Sequence, residues 1–163
     1  ETMRFFSRKF SLRHKKEWTN EMLEMSNNQS SNSNDEPVKL PEIMRQKQTI
    51  FDRTGGLHAA ALFDQDGNLK VIREDVGRHN AVDKVVGWAL MQDLIPLKKW
   101  SLAISGRGGF EIVQKCVASG ISAMVSVSAP TSLAIETARE FNLTLLGFTR
   151  DEVATIYSPD PGI

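Results

Sequence analysis

Two short stretches of this sequence concentrate side chains that can hold an anion or move a proton. The first is Thr-Gly-Gly-Leu-His, residues 54–58, which ends at His58. The second is 74–84, which begins with two carboxylates, an arginine and another histidine: Glu74, Asp75, Arg78 and His79. These groups bind phosphates or exchange protons, and the nearby glycines let a ligand approach the backbone. We therefore expect a functional site where the two stretches meet.

Two glycine- and serine-rich loops extend this pattern further along the chain. Residues 105–109 read Ser-Gly-Arg-Gly-Gly and precede a helix that carries Glu111, and residues 128–132 read Ser-Ala-Pro-Thr-Ser. Each loop follows a candidate strand, and ligands of open α/β sheets bind beyond the carboxyl ends of strands, beside helix starts. Ordinary helix capping explains either loop alone. Together with His58 and His79, the loops favour a polar cleft for a nucleotide-like anion.

Hydrophobic periodicity supplies the elements that would position these loops. Apolar residues at helical spacing predict four helices, and apolar runs bounded by turn residues predict strands, the first two joined as a hairpin. The predicted helices are 41–53, 78–92, 109–119 and 131–141, and the predicted strands are 58–63, 69–73, 102–104, 123–127, 143–148 and 154–157. Apolar strands alternating with helices indicate parallel neighbours buried on both faces. The fold class predicted is α/β: a three-layer α/β/α sandwich on a mixed sheet.

The first 38 residues differ from the remainder. An aromatic and basic segment, Met3 to Trp18, is compatible with a strand that leads into a basic helix. The basic side chains either contact phosphates or an acidic partner protein, or form a solvent-exposed helix face without a ligand. A Ser/Asn-rich run, 26–35, offers no apolar side chain to bury and is expected to be a disordered linker. We predict a tail over 1–38 and a single ligand-binding domain over 39–163.

Composition excludes several classes of protein. Twenty basic and twenty acidic residues leave a formal net charge of zero, so we expect no nucleic-acid partner. The single cysteine excludes a disulfide framework within the chain and favours a reducing compartment. No apolar run approaches the roughly 18 residues that span a bilayer, and no signal peptide is recognisable. A cytoplasmic protein without a membrane association is the expectation.

Zinc and hydrolytic chemistry are both disfavoured. The helix and strand order suggests the zinc nucleoside deaminases, whose ligands come from His-x-Glu and Pro-Cys-x-x-Cys motifs. Here His58 is followed by Ala59-Ala60, and Cys116 has no second cysteine, so we predict no zinc. Cys116 lies among valines of a helix and is expected to be a buried small side chain. No serine lies in a nucleophile-elbow motif.

Five motifs, in order and at matching spacing, resemble the FdhD/NarQ family of formate dehydrogenase accessory proteins. They are 54–60 (TGGLHAA), 74–84 (EDVGRHNAVDK), 105–107 (SGR), 128–131 (SAPT) and 144–148 (TLLGF). The resemblance covers about residues 39–157. It implies a main domain similar to the cytidine deaminase fold without its zinc.

The resemblance also implies a function. Family members are cytoplasmic sulfurtransferases, or sulfur carriers, that receive persulfide sulfur from a cysteine desulfurase. They pass it to the molybdenum of the bis-molybdopterin guanine dinucleotide cofactor before the cofactor enters formate dehydrogenase. A homodimer is a further candidate assembly. The family's cofactor-binding stretch matches Phe148, Thr149, Arg150, Asp151, Glu152 and Val153, and we place His58, Arg78, His79 and Arg107 in the same cleft.

The sequence departs from the family at the reactive Cys-x-x-Cys pair. The family has that pair between the basic segment and the helix at 41, where this sequence has no cysteine. Two explanations stay open: the pair is lost, or the chain, which begins at Glu1, omits segments of a longer protein. We therefore assign no catalytic residue. The alternative function is a non-catalytic chaperone that binds the guanine dinucleotide cofactor, or a nucleotide, and hands it on.

Overall fold

The computed structural model describes residues 9–11, 37–151 and 153–159. A 3-10 turn, Pro37–Lys39, precedes the helices α1 Leu40–Gln46, α2 Thr49–Thr54, α3 Arg78–Met91, α4 Phe110–Ser119 and α5 Ser132–Glu140. The strands are β1 Lys9–Ser11, β2 His58–Phe63, β3 Leu69–Asp75, β4 Ser101–Ile104, β5 Ala123–Ser126, β6 Thr144–Arg150 and β7 Val153–Ser158. Every strand predicted from the sequence is present within one or two residues of its expected bounds.

The described strands form one mixed sheet in the order β1-β7-β6-β5-β4-β2-β3. Strands β4, β5 and β6 are parallel, so their carboxyl ends emerge at the same edge. Strand β2 runs antiparallel to both β3 and β4, which brings the start of β2 and the end of β3 to that edge as well. We call this the loop edge; it consists of residues 55–58, 75–79, 105–109, 127–131 and 148–151.

Two apolar cores cover the two faces of the sheet. On one face, α3, α4 and α5 pack their apolar side chains, among them Val82, Ile112 and Ile135, against the strands. On the other face, Val38 and Met44 from the 3-10 turn and α1 pack on the sheet. Alternate residues of the central strands therefore point into different cores, which is the arrangement of a three-layer α/β/α sandwich. The predicted fold class is confirmed.

The continuous helix predicted over 41–53 is wrong, because the chain breaks between α1 and α2. Lys47 ends α1, and Gln48 leaves the helical conformation with φ −79° and ψ 74° while its side chain is buried. The backbone N–H groups of Ile50 and Phe51 then donate to the carboxylate of Glu74, at 3.0 and 2.8 Å. A carboxylate from β3 thus stabilises a new helix start. The apolar spacing along 41–53 gives no information about this interaction.

The N-terminal predictions are tested only in part. Strand β1 lies inside the segment expected to begin with a strand, and it pairs antiparallel with β7. The predicted basic helix and the predicted linker at 26–35 lie outside the described residues. In the part of the chain that is described, no helix combines the length and the apolar character that crossing a bilayer requires.

Candidate functional site

His58 and Arg78 meet over Gly106 at the loop edge. His58 is the first residue of β2, Arg78 is the first residue of α3, and Gly106 follows β4. A Cβ atom built on Gly106 would lie 3.2 Å from Nδ1 of His58 and 3.3 Å from Cδ of Arg78. Contacts this short force a neighbour to move, so glycine is what allows both side chains to pack on the loop. The sequence placed both side chains in one cleft, and the structure brings them into the same small region.

Two serine hydroxyls fix the backbone of this loop. Ser105 Oγ accepts a hydrogen bond from the N–H of Ala59 at 2.8 Å. Ser126 Oγ lies 2.8 Å from the carbonyl oxygen of Gly106 and 2.9 Å from that of Ser128, and it donates its single proton to this pair of acceptors. Sequence reasoning missed Ser126; its signal is one hydroxyl in an otherwise apolar buried strand. The loops after β4 and β5 are consequently tied to each other.

Two nitrogen atoms at the start of α3 are buried and have no hydrogen-bond partner among the described residues: Nε of Arg78 and Nε2 of His79. A guanidinium is always protonated, so Arg78 Nε is a donor in need of an acceptor. Leaving a buried donor unpaired costs about 1–3 kcal/mol. A ligand oxygen would remove that cost, which identifies this part of the loop edge as a candidate anion site.

The starts of α3 and α4 also offer backbone donors. Helix α3 begins after Gly77 and α4 after Gly109, and neither has a side-chain cap. Helix α5 differs, because Thr131 Oγ1 accepts a hydrogen bond from the N–H of Ala134 at 3.3 Å. Uncapped N–H groups and the helix dipole favour negative charge. Together with Arg78 Nε, which has no hydrogen-bond partner among the described residues, they give the candidate site a surplus of donors.

The sequence analysis also placed Glu74 and Asp75 in this region. In the structure, both carboxylates bind other groups of the protein. Glu74 caps α2, as described above. Asp75 lies 2.6 Å from Lys84 Nζ and accepts hydrogen bonds from the Gly77 N–H at 2.8 Å and from Asn80 Nδ2 at 3.0 Å. The Lys84 ammonium, with these donors, lowers the pKa of Asp75 from 3.8 to about 2. A carboxylate held ionised in this way is a poor general base near neutral pH.

Residues 148–150 end β6 and Asp151 follows in the turn, so this described part of the stretch matched to the family's cofactor-binding residues lies at the loop edge. Phe148 is 54% exposed and has a positive φ of 50°, a conformation uncommon for a side chain of its size. Thr149 is buried, and its Oγ1 has no hydrogen-bond partner among the described residues. Arg150 and Asp151 are exposed, and Val153 begins β7. Glu152 lies outside the described residues.

The backbone of Gly147, the residue before Phe148, packs closely against neighbouring residues. A Cβ atom at Gly147 would lie 2.8 Å from Cδ of Pro130, 2.9 Å from Cε2 of Tyr157 and 3.3 Å from the carbonyl oxygen of Ser128. The backbone N–H of Phe148 donates to the same Ser128 oxygen at 3.3 Å. The loop after β5 therefore packs directly on the backbone from which the turn departs.

The predicted site residues form two groups along the loop edge. His58, Arg78 and His79 lie beside β2 and β4, whereas the turn after β6 lies two strands away from β4. At about 4.8 Å per strand, β2 and β6 are roughly 14 Å apart. Arg107 is exposed in the intervening loop, next to the parallel bridge between Gly108 and Pro130. The predicted site residues are accordingly spread along the loop edge, which suits an extended ligand better than a compact one.

Within the described part of the chain, Cys116, His58 and His79 do not belong to a group that could hold a metal ion. The side chain of Cys116 is fully buried in the core beneath α4, and burial raises the pKa of its thiol to about 12. Across the described ranges, no three His, Cys, Asp or Glu side chains are grouped so that they could hold a metal ion. The prediction that Cys116 is a buried core residue is confirmed.

Comparison with known proteins identifies similar chains. The model of the FdhD/NarQ family matches residues 8–163. Sulfur carrier protein FdhD from Mycolicibacterium paratuberculosis is 54% identical over 119 residues, which are 73% of this chain and 44% of that protein. The protein of the same name from Streptomyces avermitilis is 55% identical over 121 residues, 74% of this chain and 43% of that one. This chain thus spans less than half the length of these relatives.

Solved structures agree on the fold. The crystal structure of a protein assigned as a formate dehydrogenase accessory protein, from Desulfotalea psychrophila, matches with a TM-score of 0.66 and 28% identity, covering 77% of this chain and 57% of that one. A structure of NE0047 in complex with 2,6-diaminopurine matches with a TM-score of 0.53 and 14% identity, covering 81% and 83%. The second likeness concerns the fold alone. The expected cytidine deaminase-like sandwich is confirmed.

Proposed function

Because this chain belongs to the FdhD/NarQ family, we propose that it is the cofactor-binding part of a cytoplasmic sulfur carrier that serves formate dehydrogenase. In this proposal, sulfur from a cysteine desulfurase is passed to the molybdenum of the bis-molybdopterin guanine dinucleotide cofactor while the cofactor lies on the loop edge. The cofactor is the substrate of the transfer and not a resident group. The names of the similar proteins support the sulfur-carrier role.

One observation carries the binding half of this proposal: in the part of the chain that the structure describes, Arg78 Nε and His79 Nε2 are buried without a hydrogen-bond partner, at a helix start with no side-chain cap. Phosphate oxygens are strong acceptors for a guanidinium and for backbone N–H groups. A guanine dinucleotide provides such oxygens together with an extended shape. The roughly 14 Å between the His58 group and the turn after β6 suits a ligand that has a phosphate at one place and an aromatic ring at another.

The exposed Phe148 supplies an apolar surface at the far end of the cleft. Aromatic rings stack on nucleobases with about 1–3 kcal/mol per base in other proteins. We assign the phosphates to Arg78 and Arg107, and the guanine or pterin ring system to the exposed ring of Phe148. The residue assignments along this cleft are parts of the same proposal.

The sulfur-transfer half requires thiols that reach the molybdenum. Cys116 is unsuited to this task, because a thiol with a pKa of about 12 and no exposure is rarely present as the thiolate. This burial favours the second candidate, a non-catalytic chaperone that binds the cofactor or a nucleotide and hands it on. The two functions share the loop edge and differ in whether sulfur is carried. Incubation of the protein as its gene encodes it with a desulfurase, followed by mass spectrometry of the intact protein, separates them, since only a carrier gains persulfide sulfur.

The binding half is tested by calorimetry with GDP as a stand-in for the cofactor. We expect the wild type to bind GDP and Arg107→Ala to bind it about tenfold more weakly, which is the lower end for loss of a charge-assisted hydrogen bond. Lys98→Ala is the control, because it removes one exposed positive charge at the opposite edge of the sheet. Absence of binding by the wild type, or equal affinities for wild type and Arg107→Ala, would contradict the proposal.

A further inference from the structure

Glu111 turns back over the start of α4 and approaches His79. Its Oε2 lies 3.8 Å from Nε2 of His79 and 3.2 Å from the position that a Cβ on Gly109 would occupy. The glycine at the helix start therefore makes room for the carboxylate. The Glu111 side chain is 63% exposed, so it can swing outward without breaking core contacts.

The lysine one turn along the helix does not neutralise this carboxylate. A glutamate commonly pairs with a lysine four residues later on the same helix, which here would be Lys115. Lys115 Nζ instead lies 2.6 Å from Asp83 Oδ1 on α3. Among the described side chains, His79 is the only basic group placed within 4 Å of the Glu111 carboxylate. Glu111 thus brings negative charge to a site whose other groups favour anions.

We infer that Glu111 is an internal competitor for the anionic group of the ligand. In the ligand-free protein, the carboxylate takes the place beside His79 and above the start of α4 that a phosphate oxygen would occupy. Binding of a phosphate displaces the Glu111 carboxylate outward. The free energy of this displacement lowers the affinity for the phosphate. Glu111 consequently lowers the affinity for every anion at this place by a similar factor, whether or not the ligand also contacts the far end of the loop edge. The inference rests on the proposed function, since it presupposes an anionic ligand.

The test compares the affinities of wild type, Glu111→Gln and Glu140→Gln for GDP and for inorganic pyrophosphate, by calorimetry at low ionic strength. Glutamine keeps the size of the side chain and removes its charge. We expect Glu111→Gln to bind both probes roughly two- to fivefold more tightly, the range of one exposed charge interaction. Glu140 is an exposed glutamate at the opposite end of α5, so Glu140→Gln controls for net charge and is expected to match the wild type.

A second measurement places the effect at His79. If Glu111 competes for that ring, the gain from Glu111→Gln shrinks when it is introduced into His79→Ala, as a double-mutant cycle measures. Wild-type binding with an unchanged or weaker affinity in Glu111→Gln overturns the competitor role and leaves the proposed function standing. Failure of wild type and Glu111→Gln alike to bind either probe overturns both. Circular dichroism of each variant confirms that the fold is intact.

Discussion

Replacing Gly147 with alanine is expected to destabilise the protein through a collision that cannot be relieved locally. The new methyl group would lie 2.8 Å from Pro130 Cδ and 2.9 Å from Tyr157 Cε2. Optimal carbon–carbon contacts are about 3.5–4.0 Å, so each contact is roughly 0.6 Å or more too short. A proline ring cannot rotate away, and the oxygen of Ser128, at 3.3 Å, blocks a third direction. Overpacking of this kind costs about 1–3 kcal/mol, and we expect about 2–3 kcal/mol here.

The matched control is Gly87→Ala, which makes the same chemical change where there is room. Gly87 lies within α3, and a Cβ atom there would meet nothing within 4 Å. Alanine is favoured over glycine in helices by about 1 kcal/mol, so this variant should gain stability. Urea unfolding followed by the fluorescence of the partly buried Trp88 and Trp100 measures both effects. A Gly147→Ala protein as stable as the wild type would refute the packing that we describe beneath the β6–β7 turn.

Two further predictions concern ionisable groups. The folded pKa of Asp75 lies below its ordinary value of 3.8, so the stability that it contributes is complete above about pH 3.8 and is lost as the pH falls through about 2. In Lys84→Met, the unfolding free energy should therefore fall less steeply over that pH range than in the wild type. Unfolding of both proteins at a series of acid pH values measures this difference. Identical pH profiles of the unfolding free energy would contradict the ion pair. Cys116 should resist labelling by a thiol reagent at neutral pH until urea unfolds the chain, and Cys116→Ala should cost about 1 kcal/mol. Native labelling at the rate of an exposed thiol would exclude a buried role.

Most helices and strands were predictable from the sequence, because apolar spacing and turn residues lie within the segment that forms each of them. The apolar stripe Val82, Val85 and Ala89 identifies α3, and Gly67 marks the β2–β3 turn with its positive φ of 76°. The break before α2 escaped prediction, because the capping carboxylate of Glu74 is more than twenty residues away in the chain. No periodicity along 41–53 reports such a partner.

The candidate site was predictable in its members but not in its contacts. The glycine and polar motifs indicated that His58, Arg78 and Arg107 belong to one edge of the sheet. Their spacing could not indicate that β2 lies between β3 and β4, which is what places His58 against Gly106. Likewise, the orientation of Glu111 toward His79 depends on α3 and α4 being neighbours. Contacts between distant segments depend on strand order, and strand order is weakly encoded in local sequence.

Nuclear magnetic resonance can show whether an anionic nucleotide-like ligand binds at the loop edge. GDP is titrated into ¹⁵N-labelled protein, and the backbone amide shifts are mapped on the chain. We expect the amides of the opposite edge, at 92–100, to remain unchanged and the shifts to be concentrated in the loop edge, at 55–58, 75–79, 105–109, 127–131 and 148–151. Shifts concentrated at that opposite edge, or no shifts at saturating GDP, would contradict binding at the loop edge.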